Sequence, residues 1–348
     1  METLRQLRYR RQRLLRLQTM QELCVLVGQP EHQLQLLAAM PPYNEFTVQK
    51  RDGSPRFIED PQPKLKQVLR MLNAYLQAIY FFDKPDASYG FITIPKDDPA
   101  PPRHIVTHAE RHLGCLWLMN IDLEDFFHQI TTEAVAKRLG DMPFQFDEDV
   151  VQLLARLMTY KGRLPMGSPC SPVLSNLVFQ REDLALETWA KANGWLYTRY
   201  ADDLTFSAQQ VITVPQFGQT VNLLENHGYR VHPRKRRLCG PDDVKSVTRL
   251  VLGTDGVQLP DDFHSELTDL IEDLRRTTRV VHRMGEADSP WLTNYRQRVQ
   301  GMVGFAQHVL GDHHEDFHRI RNAFTDATEP PAEDFGTYSW LDFPYWGF

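Results

Sequence analysis

The acidic side chains at the ends of apolar runs are the residues of this chain best suited to chemistry. Asp-Asp occurs at 97/98, 202/203, 242/243 and 261/262. Three of these pairs adjoin a proline (Pro99, Pro241, Pro260), a setting in which aspartates ordinarily cap helices or make turns. Asp202-Asp203 differs: Tyr200 and Ala201 precede it, and Leu204 and Phe206 follow in an apolar run. Asp122 likewise closes the apolar stretch CLWLMNI at 115–121. Acids brought close together in buried surroundings oppose joint ionisation, so a cation must compensate them. Oxygen-only ligands favour Mg²⁺ or Mn²⁺ over zinc. Three such carboxylates can hold two hard cations about 3.5–4 Å apart, which stabilises the attacking and leaving oxygens of phosphoryl transfer. Spacing alone leaves a structural acidic turn equally open.

To meet, these acids need strands that end side by side. The run 115–121 reads as a buried strand ending at Asp122, and 195–200 and 204–207 read as two strands joined at the acidic turn. Helical spacing covers 64–81. A second helix is expected from Ser171 to about Asn193, with Ser171 as N-cap, Pro172 at the first position and Gly194 past the end. A third runs from about Pro215 to His227. Asp255-Gly256, between 246–252 and 257–259, signals a hairpin. Beyond Pro260 the pattern is helical to about Phe324. The fold class expected is α+β.

Composition sets outer limits. With 348 residues the chain can form two or three packed units, since single domains run to roughly 100–200 residues. No stretch approaches the roughly 20 apolar residues of a membrane span, and the arginine-rich start lacks the features of a secretory signal. A cytoplasmic protein is expected. Cys24, Cys115, Cys170 and Cys239 are spread singly, which excludes zinc spacing or a disulfide framework. The net charge of -6 requires any phosphate-binding role to come from segregated patches. Such patches are Arg8 to Arg16, Arg234 to Arg237, and the series Arg275, Arg276, Arg279, Arg283, Arg296 and Arg298. The first fits a basic amphipathic helix packed through its leucines.

Four blocks resemble reverse transcriptases, in family order: YNEFTVQKRDGSPRFIEDPQPKLKQVLRML (43–72), NIDLEDFFHQI (120–130), LPMGSPCSPVLSNL (164–177) and Tyr200-Ala201-Asp202-Asp203 with LTFS after it. Within that family the chain is most similar to bacterial retron-type enzymes, through Ser88-Tyr89-Gly90-Phe91, the 108–112 element and Val247-Thr248-Arg249. It departs from the retron pattern at His108, where Asn is usual, and at Arg249, where Gly is usual.

The resemblance implies a right-hand polymerase: an N-terminal basic helical extension (1–40), fingers (41–114), a palm (115–257) with a fingers insertion at about 128–165, a helical thumb (258–325) and an aromatic, acidic tail (326–348). It assigns catalysis to Asp122, Asp202 and Asp203, with the Leu123 carbonyl completing a site for two Mg²⁺ ions, Mn²⁺ being an alternative. Lys50, Arg51, Arg56 and Lys235 would meet the triphosphate of a deoxynucleotide. Phe127 would press on its sugar, excluding a 2′-hydroxyl. Met166 stands where many members carry Gln, and Gly167 would shape the template loop. His108, His112, Tyr200, Arg249, Arg275, Arg276, Arg279 and Arg296 are expected to contact nucleic acid. The implied partners are a noncoding RNA that is both template and primer, its branched single-stranded DNA product (msDNA), and a separate effector protein in antiphage defence. A group II intron-like or abortive-infection-type enzyme, or a catalytically idle nucleic-acid-binding scaffold, is the alternative.

Overall fold

The structure is a computed structural model that describes residues 2–49, 53–284 and 289–329. The chain divides into two units, Met1–Asp243 and Val244–Phe348. The short strands after Asp243 group with the C-terminal helices, whereas the sequence reading counts them with the 115–257 segment.

The first unit opens with three helices, α1 (Leu4–Leu15), α2 (Met20–Val27) and α3 (Glu31–Ala39). Capping boxes at Thr3 and Thr19 start the first two, satisfying amides that a helix leaves unpaired at its N-terminus. Leu7 and Leu14 of α1 are buried, so the helix lies on the body as its leucine spacing requires, and it packs against α4. An antiparallel hairpin follows, β1 (Tyr43–Gln49) with β2 (Pro55–Pro61), and then α4 (Pro63–Asp83) and α5 (Ile105–Glu110).

The central sheet is built from β3 (Trp117–Asp122), β4 (Leu196–Tyr200), β5 (Asp203–Ala208) and β6 (Arg237–Cys239). Its order is β4-β5-β3-β6, antiparallel throughout. Between β3 and β4 come a 3₁₀ turn (Phe126–Gln129), α6 (Thr132–Gly140), α7 (Glu148–Met158) and α8 (Ser171–Ala192), and α9 (Val214–Asn226) follows β5. Leu204 and Phe206 of β5 and Val173, Leu174, Leu177 and Phe179 of α8 are wholly buried in one core. Truncating such a side chain costs about 2–5 kcal/mol.

Register matters more than mass here. Asp122 pairs with Asp203 across β3 and β5. A slip of one residue would send every side chain of β3 to the other face of the sheet.

Helix α8 begins differently from the sequence expectation. Its N-cap is Cys170, and Pro172 lies in the first turn. Ser171 is inside the helix, where its buried hydroxyl donates to the Pro165 carbonyl at 2.7 Å. It therefore ties the helix to the preceding loop instead of capping it.

The second unit holds a three-stranded antiparallel sheet of β7 (Ser246–Val247), β8 (Leu250–Leu252) and β9 (Val257–Gln258), then α10 (Asp261–Arg283), α11 (Pro290–Leu310) and α12 (Glu315–Thr328). β8 and β9 form the hairpin expected around Asp255-Gly256. The part of the aromatic tail beyond Glu329 lies outside the described residues.

Candidate active site

The three acids expected to do chemistry meet at one end of the central sheet. Asp122 is the last residue of β3 and is buried. Ala201 and Asp202 form the turn from β4 to β5, Asp203 opens β5, and Ala201 adopts a left-handed conformation with φ 57°. The turn is fastened to β3 beyond the ladder, because the Leu123 amide donates to the Asp202 carbonyl at 3.0 Å. Burial, and next the charge of Asp122, push the Asp202 carboxyl above its ordinary range. That is the response of two acids short of positive charge.

Lys235 supplies some of that charge. Its ammonium donates to both carboxylate oxygens of Asp122 at 3.0 Å. Burial alone would lower the lysine, but the bond to Asp122 and the surrounding acids hold it above its usual value. Among the described residues no three His, Cys, Asp or Glu side chains are gathered closely enough to grip a metal ion. The donor set nonetheless fits a hard divalent cation: oxygen ligands only, one of them with its ionisation opposed, and a lysine already drawn to the same carboxylate.

Asp122, Asp202 and Lys235 wall a cleft of about 940 Å³, whose lining also includes Arg56, Phe127, Met166 and Leu123. Arg56 projects from β2 and is exposed. Phe127 lies in the 3₁₀ turn with its ring 5.9 Å from that of Phe91, while Phe126 is buried. Gly167 has φ +140°, and a Cβ there would come within 2.6 Å of the Glu59 carbonyl oxygen. The loop approaches β2 so closely that only glycine fits. Lys50 and Arg51 lie outside the described residues.

Residues 48–253 match the family described as reverse transcriptase (RNA-dependent DNA polymerase). The chain belongs to the reverse transcriptase family. Its similarity within that family is to retron-type enzymes. It is 29% identical to the retron Ec86 reverse transcriptase of Escherichia coli over 226 residues, covering 65% of this chain and 68% of that protein. It is 30% identical to the retron Mx162 reverse transcriptase of Myxococcus xanthus over 245 residues, covering 63% of this chain and 48% of that one. The chain thus spans about half the length of the second relative. Among solved structures, a telomerase from Candida albicans with a fragment of telomeric RNA is similar at a TM-score of 0.44 and 12% identity, covering 83% of this chain and 60% of that one.

Two histidines of this reverse transcriptase correct the sequence expectation. His108 and His112, expected to touch nucleic acid, are 0% and 1% exposed. Both are hydrogen-bonded to the Thr198 hydroxyl, at 2.7 and 2.6 Å, and His112 also to Ser207 at 2.7 Å. Their i, i+4 spacing puts them on one side of α5 and its C-terminal turn, but that side faces the sheet. Burial drives the His112 pKa down to about 3, with Arg111 adding to the effect. Burial, the neighbouring His112 and Arg199 hold His108 well below the ordinary value. Both are neutral structural groups. Tyr200 is half-buried, with its ring 5.9 Å from that of His108.

In the second unit, Arg249 is exposed and sits with Thr248 in the β7–β8 turn at φ 69° and 48°. Arg275 and Arg276 reach Glu272 on their own helix at 3.2 and 3.6 Å, which offsets part of their charge. Arg279 is exposed, and Arg296 is half-buried on α11.

Two groups at the site went unread in the sequence. Glu59 of β2 is 3% exposed. It accepts from Arg163 at 2.9 Å and from the Met166 amide at 3.1 Å, and its own amide donates to the Met166 carbonyl at 2.8 Å. Arg199 is the other, a charged residue inside the apolar strand β4, and that anomaly was its only sequence signal.

Proposed function

We propose that this chain is the RNA-directed DNA polymerase of a retron, extending a primer hydroxyl with deoxynucleotides in the cleft of the first unit. The observation that carries the reading is the β3–β5 register, which sets Asp122 opposite Asp203 and, through the Leu123 amide, beside the Asp202 turn. In this reading 41–114 serves as fingers, 115–257 as palm and 258–325 as thumb.

Asp122, Asp202, Asp203 and the Leu123 carbonyl would hold two Mg²⁺ ions, with Mn²⁺ as a substitute. Bound there, such ions stabilise charge on the attacking and leaving oxygens. Every other part of the work falls to the protein. Arg56, with Lys50 and Arg51, neutralises the triphosphate, and a planar guanidinium suits phosphate because it donates two hydrogen bonds at once. Lys235 releases Asp122 and donates to the departing pyrophosphate. Phe127 closes the space beside the sugar C2′, which favours deoxynucleotides. Met166 packs on the sugar without a side-chain hydrogen bond, and Gly167 lets the template pass. Tyr200, Arg249, Arg275, Arg276, Arg279 and Arg296 meet template, primer or duplex, the arginines through phosphates that position without reading sequence.

The retron part of the proposal implies a dedicated noncoding RNA as both template and primer. Its 2′-hydroxyl would start synthesis and leave a branched RNA-linked DNA, made for antiphage defence with a separate effector. Purified protein given an RNA template, a primer and deoxynucleotides should incorporate label in Mg²⁺, and Asp202→Asn should abolish it. Equal incorporation by both proteins refutes the site. Sequencing the copurifying nucleic acid tests the branched product.

A further inference from the structure

Strand β4 carries a guanidinium that the reading above leaves without a task. Arg199 is 0% exposed and is the largest fully buried side chain among the described residues. Its Nε and Nη2 donate to the two carboxylate oxygens of Asp183 at 2.8 and 2.7 Å, and Asp183, on α8, is equally buried. The Tyr197 hydroxyl donates to the same carboxylate at 2.8 Å. Nη1 then makes two bonds of a different kind. It donates to Asn176 Oδ1 at 3.0 Å and to the Ala201 carbonyl at 2.9 Å.

Ala201 is the residue just before Asp202, and its φ of 57° is one that side-chain-bearing residues adopt only under constraint. A second segment confines the turn as well. A Cβ on Gly90 would come within 2.6 Å of the Ala201 amide nitrogen, so the 90–91 segment abuts the turn. That segment is itself held by Asn176, whose Nδ2 donates to the Gly90 carbonyl at 2.9 Å. Asn176 thus links Arg199, which bonds the Ala201 carbonyl, to Gly90, which abuts the Ala201 nitrogen.

A buried ion pair is a poor source of stability, because desolvation consumes most of the attraction between its charges. What this one provides is direction. With Asp183 fixing the plane of the guanidinium, Nη1 can point only at Ala201 and Asn176. A lysine in the same place could satisfy Asp183 but could not hold both acceptors, lacking the rigid fork.

We infer that Arg199 is a positioning residue of the polymerase site: anchored by Asp183, it grips the Ala201 carbonyl and so fixes the strained turn that presents Asp202 to the cleft. This rests on the proposed polymerase reading. Arg199 touches neither substrate nor reacting atoms, and it acts through the backbone of one neighbour.

The test compares wild type, Arg199→Lys, Ala201→Gly and the double variant Arg199→Lys/Ala201→Gly, each well below its own unfolding temperature, with Asp202→Asn as control. Primer extension in Arg199→Lys should lose on the order of 10–100-fold in kcat, the scale of a misplaced catalytic group, with KM for the deoxynucleotide nearly unchanged. Hydrogen exchange gives a readout independent of activity. The Leu123 amide, bonded to the Asp202 carbonyl, should exchange faster, while the Leu174 amide inside α8 keeps its protection. Ala201→Gly keeps the carbonyl that Arg199 grips and relaxes the left-handed strain, so alone it should keep wild-type activity and Leu123 protection, and in Arg199→Lys/Ala201→Gly it should restore part of the kcat and Leu123 protection lost in Arg199→Lys.

A merely structural Arg199 predicts the reverse: Leu123 and Leu174 amides lose protection together, kcat holds below the unfolding temperature, and adding Ala201→Gly to Arg199→Lys restores nothing. That pattern overturns the inference. Should Arg199→Lys fail to fold, Arg199→Gln takes its place, and wild-type kcat with wild-type Leu123 protection in that variant overturns the inference. If wild type incorporates nothing, or Asp202→Asn matches it, the polymerase reading itself has failed and takes this inference with it.

Discussion

Replacing Gly167 with alanine adds one methyl group at the point where the loop leading into α8 crosses β2. The backbone there has φ +140°, and the new Cβ would stand 2.6 Å from the carbonyl oxygen of Glu59. Holding a side chain in such a region costs about 1–3 kcal/mol. The clash is with backbone, which cannot rotate away, so loop and strand must part. Parting them breaks the bonds from the Glu59 amide to the Met166 carbonyl and from the Met166 amide to the Glu59 carboxylate, each worth about 1 kcal/mol. The sum is about 3–5 kcal/mol, and at about 2–4 °C per kcal/mol for a unit of this size the unfolding temperature should fall by roughly 6–20 °C. If the hairpin yields instead, Arg56 moves with β2, and the loss shifts from stability to a higher KM for the deoxynucleotide. Thermal unfolding and steady-state primer extension on the same preparation cover both routes. A Gly167→Ala protein that melts within a degree of wild type with the same KM would show that the close approach does not exist.

Further outcomes follow from single side chains. Arg249 holds a left-handed conformation in the two-residue β7–β8 turn, so Arg249→Gly should raise the stability of the second unit by about 1 kcal/mol, read as a higher urea midpoint; no gain would contradict the strained turn. His112 titrates near 3 in the folded chain and near 6.5 when unfolded. Because the folded pKa is the lower one, its contribution is complete above about pH 6.5 and drains away as pH falls toward 3, at up to about 1.4 kcal/mol per pH unit. His112→Gln should therefore flatten the dependence of unfolding free energy on pH between about 6 and 4, and an unchanged slope would refute the buried neutral assignment. Phe127→Ala should open the space beside the sugar and cost about 1–3 kcal/mol of discrimination against ribonucleotides; the ratio of kcat/KM for deoxy- and ribonucleotides measures it, and a constant ratio would move the sugar contact elsewhere.

How much of this site could be read from sequence depended on the distance over which each fact is decided. Asp122 and Asp202-Asp203 were legible because each closes a short apolar run, and a strand's direction and end are local matters of period and turn chemistry. The same holds for α4 and α9 and for the hairpin at Asp255-Gly256. Ser171 was misplaced by one position because serine suits both a cap and the first turn, and only the Pro165 carbonyl, brought in by the loop, decides between them. His108 and His112 failed for a related reason: their spacing fixes a common face, but whether that face meets solvent or Thr198 depends on a strand some ninety residues away. Glu59 with Met166, and Arg199 with Asp183, are of the same kind, since no local pattern joins them and one-residue register between distant elements creates both. The strand period in fact argues against Arg199, because a charge in an apolar run reads as an interruption. Its presence there is intelligible only once Ala201 is known to need a partner for its carbonyl. The residues that perform chemistry therefore surface in sequence as motifs, whereas those that aim them surface as exceptions to the pattern around them.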